Sequence, residues 1–282
     1  MIPAYGVKGA DILYPELFRI GSLTVHSYGL MIALAILVAA MAIYREAPRE
    51  KLNPDHILEA VIVASVSGLI GSRILYLVLN WDYYSGRPLS VIFTQFEGLS
   101  FYGAMFGGAI AILFWSIWRK INYLKMADLL APYLALGYAF GRVGCFLNGC
   151  CYGKEATVPW ALPINMADPV LRHPVQLYAA LGGVIIFVLL KLLRPKRPFV
   201  GVILVALFAL YGILRFIVEF FRHVDIVWIG LSTAQLFSLG LTFVSLITIA
   251  IFSFMANGGS SRRQDGDIRR ASGKQDSNKG VR

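Results

Sequence analysis

The sequence predicts an all-α integral membrane protein with seven transmembrane helices, its N-terminus outside and its C-terminus inside. Three observations support this: the composition, the apolar stretches, and the distribution of Lys and Arg. Of 282 residues, 57% are apolar and only 15% are charged, with a mean hydropathy of +0.66. Soluble domains contain about 45–50% apolar and about 25% charged residues. The composition therefore excludes an ordinary soluble domain.

Seven stretches are long and apolar enough to cross a bilayer, which requires about 20 residues each. They are residues 28–44, 57–79, 98–118, 126–146, 174–193, 199–219 and 232–254. The first 27 residues lack the basic start, apolar core and small-residue cleavage site of a removable signal peptide. We therefore expect the first span to act as its own insertion signal.

The orientation follows from the basic residues, because cytoplasmic loops carry an excess of Lys and Arg. Of 26 such residues, 17 lie in segments 45–51, 119–125, 191–197 and 255–282, and six lie in the alternate segments. This distribution predicts a multi-pass protein of the bacterial inner membrane. It also accounts for most of the net charge of +10, so we expect membrane lipids rather than nucleic acid as partners.

One membrane domain is predicted over residues 1–256, with a disordered, basic cytoplasmic tail over 257–282, where almost nothing is apolar. Two outer-face segments, 81–97 and 148–173, belong to the membrane domain. The first is rich in aromatic residues, which predicts an interfacial loop. The second contains several prolines, which prevent a continuous helix. We expect it to form an outer arm and head that cover a site open to lipid.

Ionisable residues inside the spans mark the candidate site, because a charge in the bilayer costs about 2.5–3.5 kcal/mol on insertion scales. They include Arg142, Arg215 and Glu219. The last two are four residues apart and can form an ion pair, whose alternative role is only to neutralise both charges. Tyr211 and Arg222 extend the same face into a polar stripe. Two arginines at one depth can also clamp a phosphate through paired hydrogen bonds.

Other polar residues occur at the same predicted depth on other spans. Tyr102 begins the third span and Tyr28 begins the first, where an aromatic-belt anchor is the usual alternative role. His173 and Gln176 begin the fifth span and can hydrogen-bond within the outer arm. Small residues on the second, third and fourth spans, such as Gly141 and Gly144, are typical of close helix packing. The convergence of several spans predicts a site near the outer face.

Three cysteines, Cys145, Cys150 and Cys151, lie within seven residues near the outer face. An odd number allows at most one disulfide and leaves one thiol over. A metal site is not favoured, because zinc usually takes four Cys or His ligands and His26, His173 and His223 are distant in sequence. Packing or disulfide-bonded cysteines are the expected alternatives, and no metal or organic cofactor is predicted.

Six ordered blocks give the chain a family resemblance that spans nearly everything except the tail. They are YGLM from Tyr28, GSRILY from Gly71, GLSFYG from Gly98, GRVGCFLNGCCYG from Gly141, HPVQLY from His173, and RFIVEFFR from Arg215. These blocks resemble the bacterial prolipoprotein diacylglyceryl transferases. The resemblance implies transfer of a diacylglyceryl group from phosphatidylglycerol to the lipobox cysteine in the signal peptide of a prolipoprotein.

The resemblance also implies roles for individual residues. Arg142 and Arg215 would bind and stabilise the departing phosphate, while Tyr28, Asn148 and Gly153 match family positions that shape the headgroup site. Family members often carry His where this chain has Tyr102, and Asn where it has Cys145. The proton acceptor therefore stays open between Glu219 and a phosphate oxygen of the lipid. A secondary transporter, a scaffold and a diverged lipid-binding protein are the alternative functions.

Overall fold

Seven long apolar helices form the membrane domain, in a computed structural model that describes residues 14–21, 23–85, 98–165, 168–224 and 226–279. We number them α1 Ser27–Glu46, α2 Pro54–Leu79, α3 Phe101–Trp118, α4 Tyr123–Leu147, α5 Val175–Leu193, α6 Val202–Glu219 and α7 Thr233–Lys279. Each has a stretch long and apolar enough to cross a bilayer. The predicted seven-span membrane protein is confirmed.

Polar side chains define where several helices begin. Asn53, Ser100 and Asn122 each accept a hydrogen bond from a backbone N–H in the first turn of α2, α3 and α4. Such caps satisfy N–H groups that have no partner within the helix. Helix α7 begins with a reciprocal capping box: Ser232 accepts from the Gln235 N–H, and Gln235 accepts from the Ser232 N–H.

Helix α4 is the centre of the bundle, since it packs against α1, α5 and α6. Helices α2 and α3 form a separate tight pair, and α7 packs along α6. A Cβ atom at Gly71 would lie 2.5 Å from the Gly103 carbonyl oxygen, and one at Gly107 would lie 2.6 Å from that of Ser67. The α2–α3 backbones therefore touch only because these positions are glycine, as the small-residue pattern predicts.

Two antiparallel hairpins within the described residues correct the all-α prediction. Strands β1 (Glu16–Ile20) and β2 (Leu23–His26) precede α1, while β3 (Leu162–Asn165) and β4 (Asp168–Arg172) lie between α4 and α5. The second hairpin occupies the segment in which prolines exclude a helix. Proline is tolerated there because a two-stranded hairpin has only edge strands.

Both hairpins lie at one end of the bundle, which we call the site end. It comprises the starts of α1 and α5 and the ends of α4 and α6. The Tyr14 N–H donates to the Leu147 carbonyl, N to O 3.0 Å, and so ties the chain before β1 to the end of α4. Of the predicted outer segment 81–97, the structure gives a short helical turn at Trp81–Tyr84. Residues 86–97 lie outside the described residues.

The backbone of α7 continues helically to Lys279, through most of the tail for which the composition predicts disorder. Its bilayer-spanning part ends at Ala256. Backbone hydrogen bonds in a helix join residues four apart, so a helix can continue without tertiary contacts. The structure thus gives a helical segment where the sequence predicts a disordered one.

An ion-pair network joins α1 to the α5–α6 connection at the opposite end of the bundle. Glu46 pairs with Lys191 and Arg194, while Glu50 pairs with Arg194 and Arg197. The guanidinium of Arg194 is 2.6 Å from Glu46 and 3.0 Å from Glu50. Three of the four basic residues in segment 191–197 thus also hold helices together.

Asp128 of α4 caps α6 from a neighbouring helix. Its carboxylate is fully buried and accepts hydrogen bonds from the N–H groups of Gly201, Ile203 and Leu204, at 2.7, 3.0 and 3.1 Å. These are the N–H groups at a helix start that have no partner within the helix. The positive end of the helix dipole also favours a carboxylate here. Asp128 therefore couples the start of α6 to the core.

We expect Asp128→Ala to lower the free energy of unfolding by about 3 kcal/mol, since several buried N–H donors lose their acceptor. Reversible unfolding in mixed detergent micelles measures this. Glu59→Ala is the control: its pair with Arg119 is partly exposed, so we expect a loss below about 1 kcal/mol. Equal losses in both variants would contradict the capping role of Asp128.

Candidate active site

Arg142, in the last turns of α4, is the half-buried cation at the centre of the site. Its guanidinium carbon lies 4.9 Å from the ring centroid of Tyr138, one helical turn earlier. Among the residues that the structure describes, no carboxylate forms an ion pair with it. A cation at this depth is costly without an anionic partner. Arg142 is thus positioned to receive an anion that the described residues do not supply.

Two tyrosines connect Arg142 to the polar face of α6. The rings of Tyr138 and Tyr211 meet edge to face, with centroids 5.5 Å apart. The Tyr211 phenol is close enough to interact electrostatically with both Arg142 and Arg215. The Tyr138–Tyr211 contact therefore links the two helices that carry the arginines predicted as a clamp. Tyr138, which makes the connection, was not among the predicted site residues.

The predicted polar stripe on α6 is an ion-pair cluster around Glu219. The Arg215 guanidinium is 3.0 Å from the Glu219 carboxylate, and the Arg222 guanidinium is 3.9 Å from it. Glu219 is only 3% exposed and also accepts a hydrogen bond from the Ser232 hydroxyl at 3.4 Å. The i, i+4 ion pair predicted from the sequence is confirmed. Arg215 is therefore held in place by a buried carboxylate.

Ser232 joins this cluster from the capping box of α7, and the sequence reasoning missed it. Both Ser232 and Gln235 are buried, at 4% and 3% exposure. The pattern Ser-x-x-Gln immediately before an apolar span is the signal that predicts such a cap. The capping box fixes Ser232, which in turn helps to orient Glu219. The start of α7 thus supports the position of Arg215.

Tyr28 enters the site from the start of α1. Gly144 of α4 makes room for it, because a Cβ there would lie 3.1 Å from the Tyr28 ring and 3.2 Å from the Met31 Cβ. The Tyr28 phenol interacts electrostatically with Arg142 and with all three cysteines. Asn148 ends α4 beside them. Two of the three predicted headgroup residues, Tyr28 and Asn148, therefore lie at the site end.

Tyr102 is the predicted site residue on α3, a helix that packs mainly on α2. Its side chain is 64% exposed, and its ring meets that of Phe101. It still interacts electrostatically with Tyr211 of α6. The side chain is accessible to a lipid or a peptide, and it also has the exposure of an aromatic anchor. Both roles predicted for Tyr102 remain open.

The three cysteines form a cluster of free thiols at the end of α4. Their Sγ atoms all lie within 4.8 Å of one another, and those of Cys150 and Cys151 are 3.6 Å apart. Hydrogen bonding with the Cys145 and Cys150 side chains and the nearby charges of Arg142 and Arg222 hold the pKa of Cys151 below its usual range. The disulfide that the sequence allows is absent from these three fully described cysteines.

His173, Gln176 and Gly153 build the outer arm rather than contact the arginines directly. The His173 imidazole hydrogen-bonds the Tyr178 hydroxyl at 3.1 Å, and the Gln176 amide donates to the Cys150 carbonyl at 2.6 Å. The Gln176 bond reaches the arm at Cys150, whereas the Tyr178 partner of His173 lies on α5. A Cβ at Gly153 would lie 2.7 Å from Val175 and 2.9 Å from His173. Gly153 thus lets the arm pack against the start of α5.

A depression of about 700 Å³ opens beside the cysteines and is bounded by the predicted covering segment. Its lining includes Lys154, Arg172 and His223, with Cys151 and Tyr152, and also Glu155, whose carboxylate lies 3.8 Å from the Arg172 guanidinium. The Tyr152 hydroxyl is buried and finds no hydrogen-bond partner in the part of the chain that the structure describes. Burial raises the pKa of Tyr152, which keeps the phenol neutral and able to donate. The depression suits an anionic group.

Fold and site together define a polytopic membrane protein with a cationic site at one end of its helical bundle. A family model described as "Prolipoprotein diacylglyceryl transferase" matches residues 15–251. The chain belongs to this family.

Curated relatives agree over most of their length, and each is named phosphatidylglycerol–prolipoprotein diacylglyceryl transferase. The Clostridium tetani protein is 32% identical, covering 89% of this chain and 99% of the relative. The Geobacter sulfurreducens protein is 34% identical, with coverage of 83% and 95%. A second enzyme of this name from Clostridium perfringens is 35% identical, with coverage of 81% and 90%. The predicted family resemblance is confirmed.

Proposed function

We propose that this protein transfers the diacylglyceryl group of phosphatidylglycerol to the lipobox cysteine thiol in the signal peptide of a prolipoprotein. A carbon–sulfur bond forms, the carbon–oxygen bond to phosphate breaks, and glycerol phosphate leaves. This is the first step of bacterial lipoprotein maturation. The observation that carries the proposal is Arg142, half-buried at the site end and without a carboxylate partner among the described residues.

The two arginines have different tasks in this reaction. Arg142 is free to bind the incoming lipid phosphate, whereas Arg215 is oriented by Glu219 before the lipid arrives. Negative charge develops on the phosphate as the carbon–oxygen bond breaks. Cations already in place stabilise that charge without reorganisation. The tyrosine pair Tyr138–Tyr211 sets the spacing of the two helices that carry them.

Glu219 is better suited to positioning than to accepting the thiol proton. Its carboxylate lies against Arg215, Arg222 and the Ser232 hydroxyl, and only 3% of the residue is exposed. These contacts already occupy the carboxylate, so it is not free to approach a substrate thiol. A phosphate oxygen of the lipid is thus the stronger of the two candidate acceptors raised by the sequence.

We place the site end at the outer face of the bacterial inner membrane, with the N-terminus outside and the C-terminus inside. The excess of Lys and Arg in the alternate connections supports this orientation. The hairpin arm and the depression then face the compartment into which prolipoproteins are exported. A lipid can reach the site from the outer leaflet.

The test is reconstitution of the purified protein with phosphatidylglycerol and a lipobox peptide. We expect the peptide to gain the mass of one diacylglyceryl group while glycerol phosphate is released in equal amount. A peptide with serine in place of the lipobox cysteine is the control and should stay unmodified. Solute flux in protein-containing liposomes without peptide modification would instead support a transporter and overturn the proposal.

A further inference from the structure

The cysteine cluster lies beside Arg142 and has no role in the diacylglyceryl transfer proposed for the two arginines. Cys145 is in the last turn of α4, and the following chain folds back on it. The Cys150 N–H donates to the Cys145 carbonyl, N to O 3.1 Å. Gly149 and Cys151 both adopt the left-handed conformation, with φ of +69° and +65°. This conformation is strained for a residue other than glycine, and such strain clusters at functional sites.

The turn gives the three thiols the spacing of a metal site. A zinc–thiolate bond is about 2.3 Å, so sulfur ligands of a tetrahedral ion lie about 3.8 Å apart. Cys150 and Cys151 Sγ are 3.6 Å apart, and no pair in the cluster exceeds 4.8 Å. Small rotations of the side chains bring all three onto one ion. Histidine ligands are therefore not required for a metal site. The sequence disfavoured a metal because the histidines are distant from these cysteines in the chain.

Charge and exposure also suit an ion with an open position. Three thiolates around Zn²⁺ carry a net charge of −1, and Arg142 and Arg222 both act electrostatically on Cys151. Cys151 is exposed, while Cys145 and Cys150 are only half-buried, so one side of the cluster is accessible. Catalytic zinc sites have three protein ligands and leave the fourth position to a water or a substrate.

We propose that Cys145, Cys150 and Cys151 bind a zinc ion whose fourth position takes the thiol of the peptide substrate. This inference rests on the proposed transferase function. A thiol that coordinates zinc loses its proton, which passes to water. The bound thiolate then attacks the glyceryl carbon, and the carbon–oxygen electron pair leaves with the phosphate beside Arg142. No oxidation or reduction takes place, and the ion is retained.

The site explains how the chain activates a thiol without a strong base. A thiol with a pKa near 8.5 is mostly protonated at neutral pH. Glu219 is occupied by its ion pairs, and Tyr102 is an exposed phenol on a different helix pair. Coordination to zinc replaces the base, because the metal makes the thiol acidic. The zinc ion lies in the same cluster of side chains as Arg142, which binds the phosphate.

The first experiment measures metal binding independently of activity. The full-length protein, purified with a phosphine reductant, is expected to hold one Zn²⁺ per chain, measured by elemental analysis. Replacing zinc with Co²⁺ should give a thiolate-to-cobalt charge-transfer band and the strong visible bands of tetrahedral cobalt. Cys145→Ser and Cys151→Ser should both lose them. His56→Ala, in the first turn of α2 at the opposite end of the bundle, is the control and should keep the full metal content.

The second experiment asks whether the substrate thiol enters the fourth position. The lipobox peptide, added to the Co²⁺ protein without lipid, is expected to shift the visible bands, and the serine peptide is not. No metal in the wild-type protein, or metal without a peptide-dependent shift, would overturn the inference. Loss of peptide modification with the shift intact would instead contradict the transferase proposal.

Discussion

Replacing Arg142 with alanine is expected to lower the rate of diacylglyceryl transfer by about 100- to 1,000-fold, the usual effect of removing one transition-state donor. The fold should survive. Arg142 has no carboxylate partner among the described residues, so its loss leaves no buried acid without a counter-charge. The measurement is the initial rate of peptide modification, alongside thermal unfolding of the same preparation.

Two further variants separate charge from geometry at this position. Arg142→Lys keeps the positive charge and loses the paired hydrogen bonds of the guanidinium, so we expect it to recover only part of the rate. Arg119→Ala removes an arginine that pairs with Glu59 near the opposite end of the bundle and should leave the rate unchanged. Wild-type turnover in Arg142→Ala would contradict the role of Arg142.

Arg215→Ala is expected to lose both turnover and stability, in contrast to Arg142→Ala. It removes the nearer cation of Glu219, whose buried carboxylate then keeps the Ser232 hydroxyl and, as its remaining ion pair among the described residues, the longer Arg222 contact at 3.9 Å. Leaving a buried charge without its partner costs about 3–5 kcal/mol. We therefore expect little folded protein, or a markedly lower unfolding temperature, together with a rate at least about 100-fold lower.

The double variant Arg215→Ala/Glu219→Gln tests this interpretation. Neutralising the side chain at position 219 removes the unpaired charge and can preserve a hydrogen bond to Ser232. We expect it to restore most of the stability and none of the turnover. Glu219→Gln alone should lower turnover moderately, because Arg215 loses its orienting carboxylate. Additive stability losses in the double variant would contradict the coupling of Arg215 and Glu219.

The membrane architecture follows from the sequence because each span is a local, continuous apolar stretch. The Arg215–Glu219 pair was predictable for the same reason, since residues four apart share a helical face. The hairpins were not predicted, because strands of four or five residues in a proline-containing connection leave little periodicity. The resemblance to the family indicated the reaction, which the spacing of the polar residues alone does not define.

Tertiary contacts account for what the sequence reasoning missed. The Tyr138–Tyr211 contact joins two helices, and nothing within either helix indicates which tyrosines meet. In the sequence, nothing distinguishes Asp128 from other polar residues near the end of a span, although it caps a helix more than seventy residues away. The clustered thiols were near one another in sequence, but only the left-handed turn at Gly149 and Cys151 brings their sulfur atoms together.

The most direct test of the central claim is to follow the oxygen that bridges the glyceryl carbon and the phosphate in phosphatidylglycerol. With ¹⁸O at that position, reconstituted protein and lipobox peptide, attack at carbon with phosphate as the leaving group places all the label in glycerol phosphate. The peptide then carries an unlabelled diacylglyceryl thioether. Label found in released diacylglycerol, with a glycerophosphoryl group on the peptide, would mean attack at phosphorus, and would contradict a site built to stabilise a departing phosphate.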